Sequence, residues 1–128
     1  MSQAEAIAGR NILVVEDEYL IARDLAEQLE MAGANVLGPV ATVDAAMRIL
    51  DRHERVDAAV LDVKLMGATV YPVADALRRL GVPILFATGY NRDALAPAFQ
   101  DVLLCEKPLE TSRVIHILCE QFEHSSSA

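Results

Sequence analysis

The sequence predicts one α/β domain, a doubly wound parallel sheet of five strands with helices on both faces. Three observations carry that prediction. Strand-length apolar runs alternate with stretches of helical periodicity along the whole chain, the order that right-handed crossovers impose on a parallel sheet. Those runs are built mainly from Val, Ile, Leu and Ala, in a chain 53% hydrophobic but only 5% aromatic, as suits strands covered on both sides. A length of 128 residues is enough for one packed core and too short for a second folded module, so no DNA-binding domain is expected.

The elements follow in order. Residues 1–10 form a flexible lead-in of small residues. Asn11 to Glu16 is the first strand, and Asp17-Glu18 opens a helix to about Met31, with Ile21, Leu25 and Leu29 at helical spacing and Gly33 as its left-handed cap. Asn35 to Val40 is a second strand in which Gly38-Pro39 argues for a sheet edge, where a missing N–H is tolerated. Thr42 caps a helix from Val43 to about His53 that buries Val43, Met47 and Leu50 and leaves Asp44 and Arg48 in water. Ala58 to Leu61 is the central strand, ending in Asp62. A loop from Val63 to Tyr71 leads to a third helix that Pro72 begins and that ends before Gly81, with Val73, Leu77 and Leu80 turned inward. Ile84 to Ala87 is the fourth strand and ends in Thr88. Asn91 to Gln100 is the weakest helical stretch, because Pro97 interrupts it, and it is expected to be the mobile segment. Val102 to Cys105 is the last strand and leads to Lys107-Pro108. Thr111 to about Glu123 closes the domain with Val114, Ile115, Leu118 and Phe122 buried, and residues 124–128 are expected to be a disordered tail. The domain proper is thus 11–123.

Asp62 alone reads as a strand-ending acid that caps a loop. Its company changes that reading. Four strand ends carry an acid pair (Glu16, Asp17), an acid (Asp62), a hydroxyl (Thr88) and an ammonium (Lys107), and in a parallel sheet such ends lie on one edge. Three carboxylates in one crevice need a cation, and hard oxygen donors favour Mg²⁺. One of them could then attack phosphorus and form an aspartyl phosphate, with Lys107 stabilising the equatorial oxygens. Lys107 also reads as a surface lysine, and Thr88 as a hydroxyl that satisfies its own strand end.

Composition narrows the partners. The formal net charge of −8 argues against nucleic acid and anionic membrane surfaces, which require clustered Lys and Arg. No apolar run approaches the ~18 residues of a membrane span, and the first ten residues lack a secretion signal's apolar core, so a cytoplasmic location is expected. Cys105 and Cys119 have no metal-ligand spacing and read as reduced, packed thiols. His53, His116 and His124 are scattered and are assigned no ligand role.

From about Asn11 to Phe122 the chain resembles the receiver domain of bacterial two-component response regulators. The pieces that carry the resemblance are Leu-Val-Val-Glu-Asp-Glu at the first strand, Leu-Asp-Val at the third, Ala-Thr-Gly at the fourth and Glu-Lys-Pro at the fifth. The resemblance implies a flavodoxin-like fold with strand order 2-1-3-4-5. It makes Asp62 the phosphoacceptor, and it has Glu16, Asp17 and Asp62 holding Mg²⁺ with the Lys64 backbone carbonyl. Thr88 becomes the switch hydroxyl, Lys107 the phosphoryl contact, and Lys107-Pro108 a cis peptide. It implies a sensor histidine kinase or histidine phosphotransferase as phosphoryl source and an unidentified downstream protein as target. The chain would act as a monomer or weak dimer without its own output domain, catalysing only its own phosphorylation and dephosphorylation.

The run Pro83 to Tyr90 is similar to the subfamily named for its Phe-Ala-Thr-Gly-Tyr signature. Two positions depart from the wider family: Met66 stands where many receivers have Pro, and Leu104 where a switching aromatic is usual. Tyr90, with the Asn91 to Gln100 segment, is the nearest substitute for that aromatic. By the same resemblance Lys64 and Tyr90 flank the path of hydrolytic water, which predicts slow self-dephosphorylation, with Gly89 and Pro108 as further modulating positions. Two other readings compete. A Mg²⁺-dependent phosphatase with an Asp nucleophile normally has a second Asp where Lys64 stands, and a receiver-like binding module would not turn over phosphate at all.

Overall fold

Each central strand sends alternate side chains to opposite faces of the sheet, and both sets are apolar. The strands are β1 (Asn11–Val15), β2 (Asn35–Val40), β3 (Ala58–Asp62), β4 (Ile84–Thr88) and β5 (Leu103–Glu106). All pair in parallel, in the order β2-β1-β3-β4-β5, which is the predicted 2-1-3-4-5 arrangement. The covering helices are α1 (Tyr19–Met31), α2 (Val43–Asp51), α3 (Tyr71–Arg79) and α4 (Thr111–Ser126). The computed structural model describes residues 6–89 and 91–126, the side chains of 124–126 excepted. Ile12, Val14, Ala58, Val60 and Leu85 pack with α1 and α4; Leu13, Val15, Ala59, Leu61 and Phe86 pack with α2 and α3. Every residue of β3 and β4 is buried, as central strands sandwiched between helices must be.

The edge position predicted for β2 is observed, with the Gly38–Pro39 peptide in the cis form. The register against β1 shifts between Leu13 and Val15, and Gly38 makes the shift possible. Its φ is +95°, and a Cβ there would meet the Val40 nitrogen at 2.8 Å and the Val14 carbonyl at 3.0 Å. Gly33, at φ +100°, follows α1 as expected, and the Ala34 N–H closes the helix end on the Leu29 carbonyl at 3.0 Å. The Thr42 cap of α2 is also present, its Oγ1 accepting the Ala45 N–H at 3.1 Å. The fully buried residues of α2 are Ala46 and Ile49, with Val43, Met47 and Leu50 half-buried around them.

Four expectations need correction. Asn91 to Gln100 forms no α-helix. It folds as two short 3-10 turns, Arg92–Ala94 and Pro97–Phe99, joined by extended Leu95 and Ala96. The residue before a proline avoids the helical region and proline brings no N–H, so the helix fails at Ala96-Pro97. Leu80 is exposed: α3 stops at Arg79, the chain turns at Gly81, and Val82 packs against the core with its N–H closed on the Leu77 carbonyl. The lead-in is not loose throughout, since Ala6 and Ile7 are buried in the core shared with α1 and α4. There the Gly9 N–H bonds the Gly33 carbonyl at 2.9 Å, and the Arg10 guanidinium lies 4.7 Å from the Phe122 ring centroid. Finally, α4 continues to Ser126, beyond the expected end at Glu123; residues 1–5 and 127–128 lie outside the described ones. Among the described residues, no helix is long and apolar enough to cross a membrane.

Candidate acidic site at the carboxyl edge of the sheet

Parallel register decides which side chains meet. Val15 lies beside Leu61, Asp62 beside Ala87, and Thr88 beside Glu106. Each strand therefore releases its polar residue within about one position of its neighbours, and Glu16, Asp62, Thr88 and Lys107 converge. Among the described residues, the buried polar or charged side chains are Glu16, Asp62 and Thr88, with 4%, 6% and 1% of their surface exposed. All three stand at this edge. Burying two carboxylates is costly without partners, so their joint burial is the feature that marks the site.

Lys107 supplies the partner. Its Nζ lies 2.9 Å from Glu16 Oε1, 3.1 Å from Asp62 Oδ2 and 3.3 Å from Glu18 Oε1. Its backbone is fixed by a 2.8 Å hydrogen bond from its N–H to the Thr88 carbonyl, and the Lys107–Pro108 peptide is cis, as the resemblance implied. The Glu18 N–H holds Glu16 Oε2 at 3.0 Å, and the Lys64 N–H points to Asp62 Oδ1 at 3.4 Å. Asp17 is half-buried, its Oδ2 accepting the Met66 N–H at 3.0 Å. Met66 belongs to a ribbon in the Val63 to Tyr71 loop, where Lys64–Leu65 pairs antiparallel with Ala68–Thr69.

The electrostatics follow from this crowding. Burial pushes the Glu16 carboxyl up to about 7, against the pull of the Lys107 ammonium and the Glu18 N–H and with a further push from Asp62. Burial alone would lower Lys107, but its hydrogen bonds to Glu16 and Asp62 overcome that and raise it above its ordinary value. The ammonium is therefore permanent, and one positive charge faces several acids. Glu16, Asp17 and Asp62 can each offer an oxygen within 4.8 Å of the others. Glu16 Oε1 is buried with no hydrogen-bond donor, its Lys107 contact being an ion pair of poor hydrogen-bond geometry. An oxygen left in that condition fits a metal ligand, and the all-oxygen donor set suits a hard divalent cation.

Asp17, Asp62, Lys64, Thr88, Gly89 and Lys107 line one cleft of about 460 Å³. Six of the nine positions singled out in the sequence thus share a cavity, and Glu16 lies buried behind Lys107. Pro108 faces elsewhere, lining a separate cleft with Glu106, Glu110 and Arg113. Tyr90 lies outside the described residues. Glu18, which the sequence marked as a helix opener and the end of the first-strand motif but gave no role at the site, is a cleft residue and the third carboxylate on Lys107. Its place directly after the Glu16-Asp17 pair was the available signal. Cys105 and Cys119 are buried and form no disulfide, and His116 pairs with Glu120 at 2.8 Å on α4, so none of these three side chains joins the site.

Residues 12–117 match the response regulator receiver domain. The phyllosphere-induced regulator PhyR of Methylorubrum extorquens is 32% identical over 124 residues, covering 91% of this chain and 45% of that protein. The chain spans about half the length of the curated relatives it matches. The solution structure of SdrG from Sphingomonas melonis Fr1 superposes with a TM-score of 0.73 at 36% identity, covering 94% of this chain and 99% of that one. A BeF3-activated conformation of SdrG matches with the same TM-score at 37% identity, covering 90% and 98%. A CheY-like receiver domain protein from Methanospirillum hungatei shares the fold at a TM-score of 0.81 and 19% identity, covering 94% and 98%. Fold, acidic edge and sequence relatives agree, and the chain belongs to the response regulator receiver domain family.

Proposed function

We propose that this receiver accepts a phosphoryl group on Asp62 from the phosphohistidine of a sensor histidine kinase or a histidine phosphotransferase, and acts as a phosphorylation switch or relay toward a downstream protein. The observation that carries the reading is the burial of Asp62 at the floor of a cleft, with one oxygen on the Lys107 ammonium and the other toward the Lys64 N–H. A carboxylate so held is oriented rather than solvated. One Asp62 oxygen forms the new bond to phosphorus as the phosphorus–nitrogen bond of the donor breaks, and the electron pair of that bond returns to the imidazole.

Glu16, Asp17 and Asp62 hold Mg²⁺ in this reading, joined by the Lys64 backbone carbonyl. The Val70 N–H bonds the Val63 carbonyl at 2.8 Å, and antiparallel alternation then leaves Lys64, opposite Thr69, without a ladder hydrogen bond to spend. Bound there, Mg²⁺ offsets the charge on the carboxylates and on the equatorial phosphoryl oxygens. Lys107 gives up its Asp62 contact to a phosphoryl oxygen while Glu16 keeps it in place, and Thr88 donates its hydroxyl to another. Gly89, with no side chain, leaves room over the cleft, and Lys64 with Tyr90 screens the phosphoryl group from water. The Phe86-Ala87-Thr88-Gly89-Tyr90 run supports placing the chain in the subfamily that carries that signature. We assign it a cytoplasmic location, no nucleic-acid partner and a monomeric or weakly dimeric state, with no catalysis beyond its own phosphorylation and dephosphorylation.

The test is labelling by a small phosphodonor, followed by intact mass with and without Mg²⁺. A single labile adduct that needs Mg²⁺ and is absent in Asp62→Asn is expected. Absence of an adduct with small donors and with phosphorylated kinases alike would leave a binding module, and rapid multiple turnover of the donor would indicate a phosphatase.

A further inference from the structure

Where a helix fails between β4 and β5, other side chains hold the chain down. Tyr71, the first residue of α3, accepts the Ala96 N–H on its hydroxyl at 2.9 Å. Its ring stacks on Phe99, with centroids 4.9 Å apart and planes within 6°, and meets Phe86 edge-on at 6.3 Å. Phe86 in turn meets Phe99 edge-on at 5.9 Å. Arg78 lies over the Phe99 ring, 4.7 Å from its centroid, and bonds the Ala98 carbonyl and Asp101. Arg92 closes the loop on the Gln100 and Val102 carbonyls.

Tyr71 occupies a particular place in this network. It follows, after Val70, the ribbon that bears Lys64 and Met66, whose N–H groups touch Asp62 and Asp17. Of its three partners, Ala96 and Phe99 lie in the segment that follows Thr88, and Phe86 stands two residues before Thr88 on the same strand. Val63, Lys64 and Thr69 from one loop and Leu95 and Ala96 from the other face each other across a groove of about 400 Å³, with Tyr71 bridging them. Leu104, by contrast, is an aliphatic side chain packed against the core and offers neither a ring nor a hydroxyl.

We propose that Tyr71 is the positioning residue that couples the acceptor loop to residues 91–100, so that a change at Asp62 which shifts the Lys64–Thr69 ribbon is passed through the Tyr71 hydroxyl and ring to Ala96 and Phe99. The proposal rests on the phosphoacceptor reading of Asp62. It assigns to Tyr71 the coupling that the sequence suggested for Tyr90.

Amide chemical shifts of the full chain test it, recorded with and without Mg²⁺ and beryllofluoride as the phosphoryl mimic, on wild type, Tyr71→Phe and Tyr71→Leu. Tyr71→Phe keeps the ring stack and removes only the acceptor of the Ala96 N–H. In wild type the amides of Asp62, Gly89 and Lys107 shift, and those of Ala94 to Phe99 shift with them. In Tyr71→Phe the site amides shift as before while the Ala94 to Phe99 response falls by roughly half, one of the two links being lost, and it falls further in Tyr71→Leu. An undiminished Ala94 to Phe99 response in both variants, or none in wild type despite a responding site, overturns the proposal. No response at Asp62 and Lys107 in wild type overturns the phosphoacceptor reading itself, and the proposal with it. A thermal melt of each variant establishes that it is folded at the temperature used.

Discussion

Removing the Lys107 ammonium leaves two buried carboxylates facing each other, and the cost should depend on pH. Lys107→Ala deletes contacts of 2.9 Å to Glu16 and 3.1 Å to Asp62, while the 3.3 Å contact to Glu18 is on an exposed, solvent-screened side chain and adds little. Taking one partner from a buried ion pair costs about 3–5 kcal/mol. Glu16 limits that loss. Its carboxyl is already pushed up to about 7, so without the ammonium it holds a proton at pH 8 rather than remaining charged. The expected loss is about 3 kcal/mol at pH 8, near the lower end of that range, and about half as much at pH 5, where Glu16 is protonated in wild type and only the Asp62 contact is lost.

In wild type the same carboxyl makes stability fall as pH rises. Between about pH 4.5 and 7 the folded chain keeps a proton on Glu16 that the unfolded chain has lost. Raising pH through that window therefore destabilises the metal-free protein, by about 3 kcal/mol in all. Urea unfolding of both proteins at pH 5 and pH 8, in metal-free buffer, measures these quantities. A loss below about 1 kcal/mol at pH 8, or the same loss at both pH values, would refute the picture of Lys107 as the neutraliser of a buried acid pair.

Three other outcomes are expected. Saturating Mg²⁺ should stabilise wild type by about 2–3 kcal/mol at ~100-fold excess over its dissociation constant, and Asp17→Asn should lose most of that gain in a thermal melt; an equal gain in the variant would remove Asp17 from the metal site. Gly38→Ala should lower the unfolding free energy by about 2–4 kcal/mol, since a Cβ at a φ of +95° would lie 2.8 Å from the Val40 nitrogen, and a loss of a few tenths would contradict the register shift drawn for β2. The Lys64→Ala, Tyr90→Ala double variant should shorten the lifetime of the aspartyl phosphate by about an order of magnitude, roughly 1.4 kcal/mol of barrier. An unchanged decay rate would mean that these side chains do not screen the phosphoryl group.

The parts legible in the sequence are those set by short-range rules. Any extended run sends alternate residues to opposite faces, so reading Asn11 to Glu16 as a strand covered on both sides already implies that Leu13 and Val15 pack away from Ile12 and Val14. Strand-end chemistry brought Glu16, Asp62, Thr88 and Lys107 together because parallel strands must end on one edge. Gly33, Gly38-Pro39 and Thr42 each carry a backbone requirement that reads directly from residue type. The failures share a different cause, which is competition between local pattern and packing. Leu80 keeps helical spacing with Leu77, yet the helix ends one residue earlier and Val82 takes the buried place. Ile7 is one apolar residue among small ones, too little periodicity to announce that it fills a gap beneath α1 and α4. Pro97 marks the segment 91–100 as weak in the sequence, but the side chains that pin it, Tyr71, Arg78 and Arg92, come partly from other elements and leave no local signal. Glu18 was hidden by a bland alternative, since an acid before a helix is ordinary.

The assignment of Asp62 as phosphoacceptor depends on where the phosphoryl group resides. Borohydride treatment of the Mg²⁺-labelled protein, followed by peptide mass spectrometry, reduces an acyl phosphate to an alcohol and so marks the acceptor carboxyl. Homoserine is expected at position 62 and nowhere else, and none without Mg²⁺. Reduction at Asp17 or Glu16 with Asp62 intact, or a label that survives borohydride on a hydroxyl or imidazole, would contradict it.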